Sequence, residues 1–454
     1  MRADPTTSFG RRLRQHPIEL VLSLFGDVRP GEAATVLLLM ANVFLVLTAY
    51  YLLKVAREPL ILLGGGAEVK SYAAVGQALL LVLVTNVYGW LAARVGRLVL
   101  IACVTAFFAS NLALFAALGS RGVPLGVPFF LWVGIFNLVS VTQFWSLAAD
   151  TYTEEQGKRL FPIIGIGSSV GAVGGAAIAD RLLHSGTPFI LMLVAGAVLL
   201  STLPLVYLVH HRETIAKVGS PPARRDEPVG RGNAFAMVVQ DRYLLLLAAL
   251  ILALNIVTKT GDYVLDSMLI GQAPTHAKAL GIPQAIYIGQ FKARYFEWIN
   301  ILEVVFQSLL VSRVIKYAGL RAALVIVPLM SLVGYGATLA WPVIGLLFAT
   351  RVTESTLDYS LSNTVRQALW LVTSREAKYK AKQVVDSFMW RAGDTISAAV
   401  VWTGTHFAIG LHRFIAINIV GAAAWTGIAY LAGREYARRR PAPQLAQTLL
   451  GNGP

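Results

Sequence analysis

Five groups of residues have the types and spacing to handle a charged molecule inside a membrane. Asn255, Lys259, Asp262 and Asp266 follow one another at steps of four, three and four, which puts them on one face of a helix. Glu297, Asn300, Glu303 and Gln307 form a similar stripe, as do Arg351, Glu354 and Asp358, with Arg366 further on. Asp386, Arg391 and Asp394 make a fourth group, and Lys54, Arg57 and Glu58 cluster ahead of Pro59. Each lies within or at the end of a long apolar run. Ionisable side chains there cost a few kcal/mol on insertion scales and mark substrate or ion pathways. Arg offers a planar fork to phosphate or carboxylate, and Lys offers a point charge. Interleaved acids either pair with the cations or carry protons. The chemistry expected is therefore binding and passage of an anion.

The elements that must position these residues are membrane spans. The chain has 454 residues, 56% hydrophobic and only 14% charged, against roughly 25% charged in an average soluble protein. This excludes a soluble enzyme and a disordered chain. At about 20 apolar residues per crossing, twelve spans are expected, near 33–56, 71–93, 98–118, 127–150, 160–183, 187–209, 243–270, 291–315, 320–340, 342–371, 382–404 and 407–432. No ten-residue blocks alternate as a β-barrel requires.

Charge placement gives the orientation. The net charge is +15. With the N-terminus in the cytoplasm, 26 of the 39 Lys and Arg fall on the cytoplasmic side, six on the other and seven within spans, the bias that sets topology. Most of the excess is thus topological. Residues 1–32 are expected to be a cytoplasmic segment whose Ile18, Val21, Leu22 and Phe25 share a helical face suited to the membrane surface. Residues 33–209 and 242–432 are expected to be six-helix halves, 210–241 a Pro- and Gly-rich cytoplasmic linker and 433–454 a cytoplasmic tail. The halves echo each other: ARVGRLVLI has IKYAGLRAALVI as counterpart, and Lys54 has Lys259. Parallel six-helix halves are the organisation of major-facilitator transporters, with the substrate at midplane between them. Gly167, Gly171 and Gly175 form a ladder for close helix contact.

Other chemistry lacks its residues. No G-x4-G-K-[ST] loop is encoded. The seven His form no HExxH set, the adjacent His210 and His211 sit in a basic loop, and Cys103 has no partner. Neither an enzyme activity, a cofactor nor a nucleic-acid partner is expected; membrane lipids are.

Three stretches carry a family likeness. YYLLKVAREPLIL (50–62), FWSLAADTYTEEQGKRLFPIIGIGSSVGAVGG (144–175) and DYSLSNTVRQALWLVTSREAKYKAKQVVDSFMWRAGD (358–394) resemble the ATP/ADP (NTP/NDP) antiporters of intracellular bacteria and plastids and their free-living relatives. The resemblance implies an all-α, major-facilitator-like exchanger in the bacterial inner membrane, carrying nucleotides through a central cavity. It assigns substrate roles to Lys54 and Lys259, and places Arg391 where exchangers usually carry Lys. Asn255 stands where they carry an essential Glu, and Asp150 where they have Asn. The substrate site expected is Lys54, Arg57, Asn255, Lys259 and Arg391. Coupling or gating is expected of Asp262, Glu303, Arg351, Glu354, Asp358 and Asp386, with Arg351–Glu354 and Asp386–Arg391 as ion pairs. Two readings stay open beside a nucleotide carrier: a carrier of another organic anion or amphiphile, coupled to protons, and a non-transporting receptor or complex subunit.

Overall fold

In the computed structural model, the chain is helical throughout residues 28–29, 31–92, 94–184, 186–216, 234–374, 377, 381–382 and 384–439, apart from short connections; these are the residues the structure describes. The expected surface helix around Ile18–Phe25, most of the linker and most of the tail lie outside them. Helices follow in the order α1 (Ala33–Ala92), α2 (Arg97–Ser120), α3 (Gly126–Thr151), α4 (Glu154–Leu183), α5 (Pro188–Leu200), α6 (Thr202–Ala216), α7 (Ala234–Gln240), α8 (Arg242–Leu280), α9 (Gln284–Leu309), α10 (Val311–Tyr317), α11 (Gly319–Ala340), α12 (Ile344–Leu357), α13 (Asn363–Leu369), α14 (Met389–His406) and α15 (Leu411–Arg439). A π-helical turn, Asp358–Ser362, joins α12 to α13, and another, Val384–Phe388, leads into α14.

Among the described residues eight helices are long and apolar enough to cross a membrane, or nine if α9 and α10, bent by 44°, count as one. The protein is a multi-pass membrane protein. Its 60-residue α1 would be about 90 Å long if straight, some three times the roughly 30 Å hydrocarbon core. It breaks at Gly66, whose φ of 79° and ψ of 179° suit only glycine. The first expected span ends at 56 and leaves 57–70 as a connection. Instead, the first arm of α1 stays helical through Pro59 up to the break. The second arm leaves Leu79, Val82, Leu83 and Val87 exposed, as lipid contact requires.

The chain divides into two compact units: residues 1–224 with 268–301, and 225–267 with 302–454. The tip formed by the end of α8 and most of α9 thus belongs to the first unit. In that unit Leu39 and Val43 of α1 pack with Phe144 and Leu147 of α3, Ile163 and Ile164 of α4, and Val206 and Val209 of α6. The glycine ladder lies on α1: a Cβ at Gly167, Gly171 or Gly175 would strike the carbonyl oxygen of Met40, Phe44 or Thr48. Thr153 and Gln156 cap α4 reciprocally, and Arg159 reaches Glu32 at 3.0 Å, joining the starts of α4 and α1. In the second unit Trp425 and Phe414 of α15, Tyr335 of α11 and Tyr243 of α8 are fully buried.

Candidate functional site

The charged side chains inside the helices gather into one cluster per unit, with a smaller group beside the second. In the first unit the centre is Glu58, fully buried on α1. Lys70 donates to its Oε2 at 2.5 Å and Arg57 Nε to its Oε1 at 3.2 Å. Lys292 of α9, itself 2% exposed, stands 3.8 Å from Oε2. One turn before Glu58, Lys54 places its Nζ 4.1 Å from the Phe296 ring centre and 4.8 Å from that of Tyr51, an attractive cation–π arrangement. Arg57 also lies over Phe130 at 4.7 Å, and the Tyr51 hydroxyl donates to Asn300 at 2.9 Å. Lys54 and Arg57 are thus turned into the protein and held by rings, instead of snorkelling to an interface.

The second unit centres on Arg351, 1% exposed. Its Nη1 donates to Glu354 Oε2 and its Nη2 to Asp262 Oδ1, both at 2.6 Å. The Tyr335 hydroxyl donates to Glu354 Oε2 at 2.9 Å, and Thr258 donates to Oε1 at 3.3 Å. Two stripes read from the sequence therefore meet in one network, Asp262 of α8 and Arg351 with Glu354 of α12, and Tyr335 of α11 and Thr258 of α8 complete it. Burial in this low-dielectric setting strengthens each bond and makes an unpaired member costly.

Beside it, Asp394 of α14 takes Arg391 Nη1 at 3.4 Å and has Lys259 Nζ at 4.0 Å. Asn255 is buried and donates to the Trp390 carbonyl at 3.1 Å, and a Cβ on Gly393 would meet its side chain. The expected Asp386–Arg391 pair does not form. Positions three apart share a helical face, whereas five apart diverge by about 140° on an α-helix, and Asp386 sits exposed on the π-helical turn. Asp358 pairs with Arg366 at 2.7 Å across the other π turn. Glu303 lies on α9, half-buried. Glu58, Lys70, Lys292, Tyr335 and Asp394 lie outside the expected substrate and gating sets; for Glu58 and Lys292 the sequence signal is a charge inside an apolar run.

No family model matches the chain. It is 22% identical over 479 aligned residues to the ADP,ATP carrier protein 2 of Chlamydia pneumoniae, covering 86% of each protein. The chain is similar to the ATP/ADP carriers. Their likeness read in the three sequence stretches therefore extends over most of the length. Among solved structures, a bacterial homologue of the iron transporter ferroportin in an inward-facing state matches 88% of this chain and 98% of its own with TM-score 0.61 at 10% identity. The nucleoside transporter NupG (a D323A mutant) matches 90% of this chain and all of its own with TM-score 0.59 at 11% identity. The peptide transporter PepTSo matches 91% and 98% with TM-score 0.58 at 13% identity. The fold shared with these transporters is major-facilitator-like, and neither the carrier nor the fold neighbours are enzymes.

Proposed function

We propose that this protein is a secondary transporter of an anionic, phosphorylated substrate, most simply a nucleotide, and that it works by alternating access. The observation that carries this reading is the first-unit cluster, where Arg57, Lys70 and Lys292 converge around one buried carboxylate and Lys54 lies over the rings of Phe296 and Tyr51 one turn away. Cationic heads of this kind fit phosphate. The similarity to an ADP,ATP carrier supports the same reading. In the proposal the chain has twelve spans in two six-helix halves, with both termini cytoplasmic, in the bacterial inner membrane. Lys54, Arg57, Asn255, Lys259 and Arg391 hold the substrate. Asp262, Glu303, Arg351, Glu354, Asp358 and Asp386 gate or couple its movement.

Uptake of labelled ATP into proteoliposomes preloaded with ADP tests it. Saturable uptake that Lys54→Ala and Lys259→Ala each abolish is expected. Absence of nucleotide uptake, exchange or binding at millimolar concentration would overturn the nucleotide assignment.

A second reading, carriage of another organic anion with proton coupling, draws on the two carboxylates, Asp262 and Glu354, that share Arg351. Uptake that survives collapse of the proton gradient would remove it.

A further inference from the structure

Glu58 gathers three cations from three separate pieces of the first unit. Arg57 adjoins it on the first arm of α1, Lys70 comes from the second arm beyond Gly66, and Lys292 comes from α9. Their side chains are 14%, 16% and 3% exposed, and that of Glu58 is 1% exposed. One cation neutralises a carboxylate. Bringing two more out of water costs several kcal/mol each, so pairing alone is a poor account of three. Three converging cationic heads match a group with more oxygens and more charge than a carboxylate. A phosphoryl group presents three acceptor oxygens and roughly −1.5 to −2 charges.

We propose that Glu58 is an internal stand-in for the phosphate of the substrate: it occupies the anion seat formed by Arg57, Lys70 and Lys292, and the incoming phosphate displaces it. This deepens the anion-carrier reading and rests on it. The stand-in has a clear physical use. A seat of three cations without a resident anion would be held apart by mutual repulsion, and with a free phosphate in it would hold that phosphate too tightly to let go. A tethered carboxylate keeps the seat assembled when empty and competes with the substrate at release. Lys54, four positions before Glu58 and over the ring of Phe296, which is itself four positions after Lys292, borders the same seat.

The test is thermal unfolding of the purified full-length protein titrated with inorganic pyrophosphate, against sodium chloride at matched ionic strength. A ligand of the folded state raises apparent stability as the logarithm of one plus its concentration over Kd, so the titration yields Kd. Glu58→Gln keeps the shape and removes the charge; Glu58→Ala empties the seat. Both are expected to half-saturate at pyrophosphate concentrations at least about tenfold below wild type, and adding Lys292→Gln to Glu58→Gln is expected to erase the gain. Equal or weaker binding by the neutral variants, or a gain that survives Lys292→Gln, would overturn the proposal. Should neither neutral variant fold alone, recovery of folded protein when pyrophosphate is added supports it and failure to recover refutes it. If wild type exchanges nucleotide but the variants show no gain, the stand-in is wrong and the carrier reading stands. If the variants gain pyrophosphate binding while no nucleotide moves, the seat stands and the nucleotide assignment falls.

Discussion

Lys70 Nζ stands 2.5 Å from Glu58 Oε2, although twelve positions separate them on one nominal helix. On an unbroken α-helix those positions are about 18 Å apart along the axis, beyond what the two side chains bridge. The contact exists because Gly66 redirects the chain between them. The backbone break, the buried carboxylate and the returning lysine are one device.

Gly66→Ala is therefore expected to disrupt the cluster from a distance. Its φ of 79° with ψ near 180° is closed to residues with a Cβ, and a Cβ there also meets the Glu68 carboxylate at 3.3 Å. Holding such a conformation costs about 1–3 kcal/mol. The expected outcome is a lower thermal midpoint together with substrate affinity reduced as far as in Lys70→Ala, read by unfolding and uptake on the same preparations. Wild-type affinity in Gly66→Ala would separate the break from the site.

The glycine ladder of α4 gives a contrast within one helix. Gly171→Ala drives a methyl group against the Phe44 carbonyl of α1, where Thr48 also donates to the Gly171 oxygen at 3.3 Å. Overpacking of this kind costs about 1–3 kcal/mol. Gly165 has open space where a Cβ would stand, so Gly165→Ala is expected to be neutral or slightly stabilising, as Ala favours helix over Gly. Thermal midpoints of the two variants in one detergent check this; equal losses would show that the ladder is not a packing contact.

Much of this was legible from residue types and periods, and the remainder was hidden for identifiable reasons. Apolar runs gave the helices, and the four-residue glycine spacing gave a close-packing face on α4, though not that α1 lies against it. Steps of three and four gave the stripes, of which Asp262, Arg351 and Glu354 meet. Periodicity reports faces within a helix but not which faces meet, so Tyr335 and Thr258 stayed out of view. Glu58–Lys70 was concealed because Gly64, Gly65 and Gly66 read as a loop, whereas only Gly66 departs from the helix. Lys292 is one of the seven cations within the expected spans, in 291–315. That it joins the first unit depends on how the α8–α9 tip packs, which local pattern does not encode. Arg391 pairs with Asp394 and not with Asp386 because i,i+3 positions share a helical face.

Acid should weaken the second unit through Asp241, which lies ahead of α8 outside the membrane spans. Partial burial pushes its carboxyl up, but the Arg439 fork at 2.7 and 3.0 Å and the backbone N–H groups of Tyr243 and Leu244 outweigh this and hold it below the usual carboxylate value. A pKa lowered in the folded state contributes stability that is complete above the unfolded value, about 3.9 for Asp, and is lost as pH falls through the folded value. Asp241→Asn is thus expected to start with a lower midpoint at pH 7 and to decline less between pH 5 and pH 3 than wild type. Parallel curves would remove Asp241 as a source of acid sensitivity.

Arg351 carries the sharpest test of whether the second cluster is structural or functional. Removing it by Arg351→Met leaves Glu354, 1% exposed, and Asp262 without their shared cation. Breaking a buried pair from one side costs about 3–5 kcal/mol, whereas replacing both partners with apolar groups is often neutral. Thermal midpoints should therefore fall steeply in Arg351→Met, less in Glu354→Leu, and recover in the double variant by at least 1 kcal/mol relative to the sum, a coupling a double-mutant cycle reads directly. A lysine ammonium carries its three N–H donors on one nitrogen and lacks the two separate nitrogens of the planar guanidinium fork that reach Glu354 and Asp262, so Arg351→Lys should keep part of the stability but weaken the link from α12 to α8. If the network only holds helices together, the double variant regains uptake along with its midpoint. If it gates or couples transport, the double variant regains the midpoint and stays inactive, which is the outcome expected here.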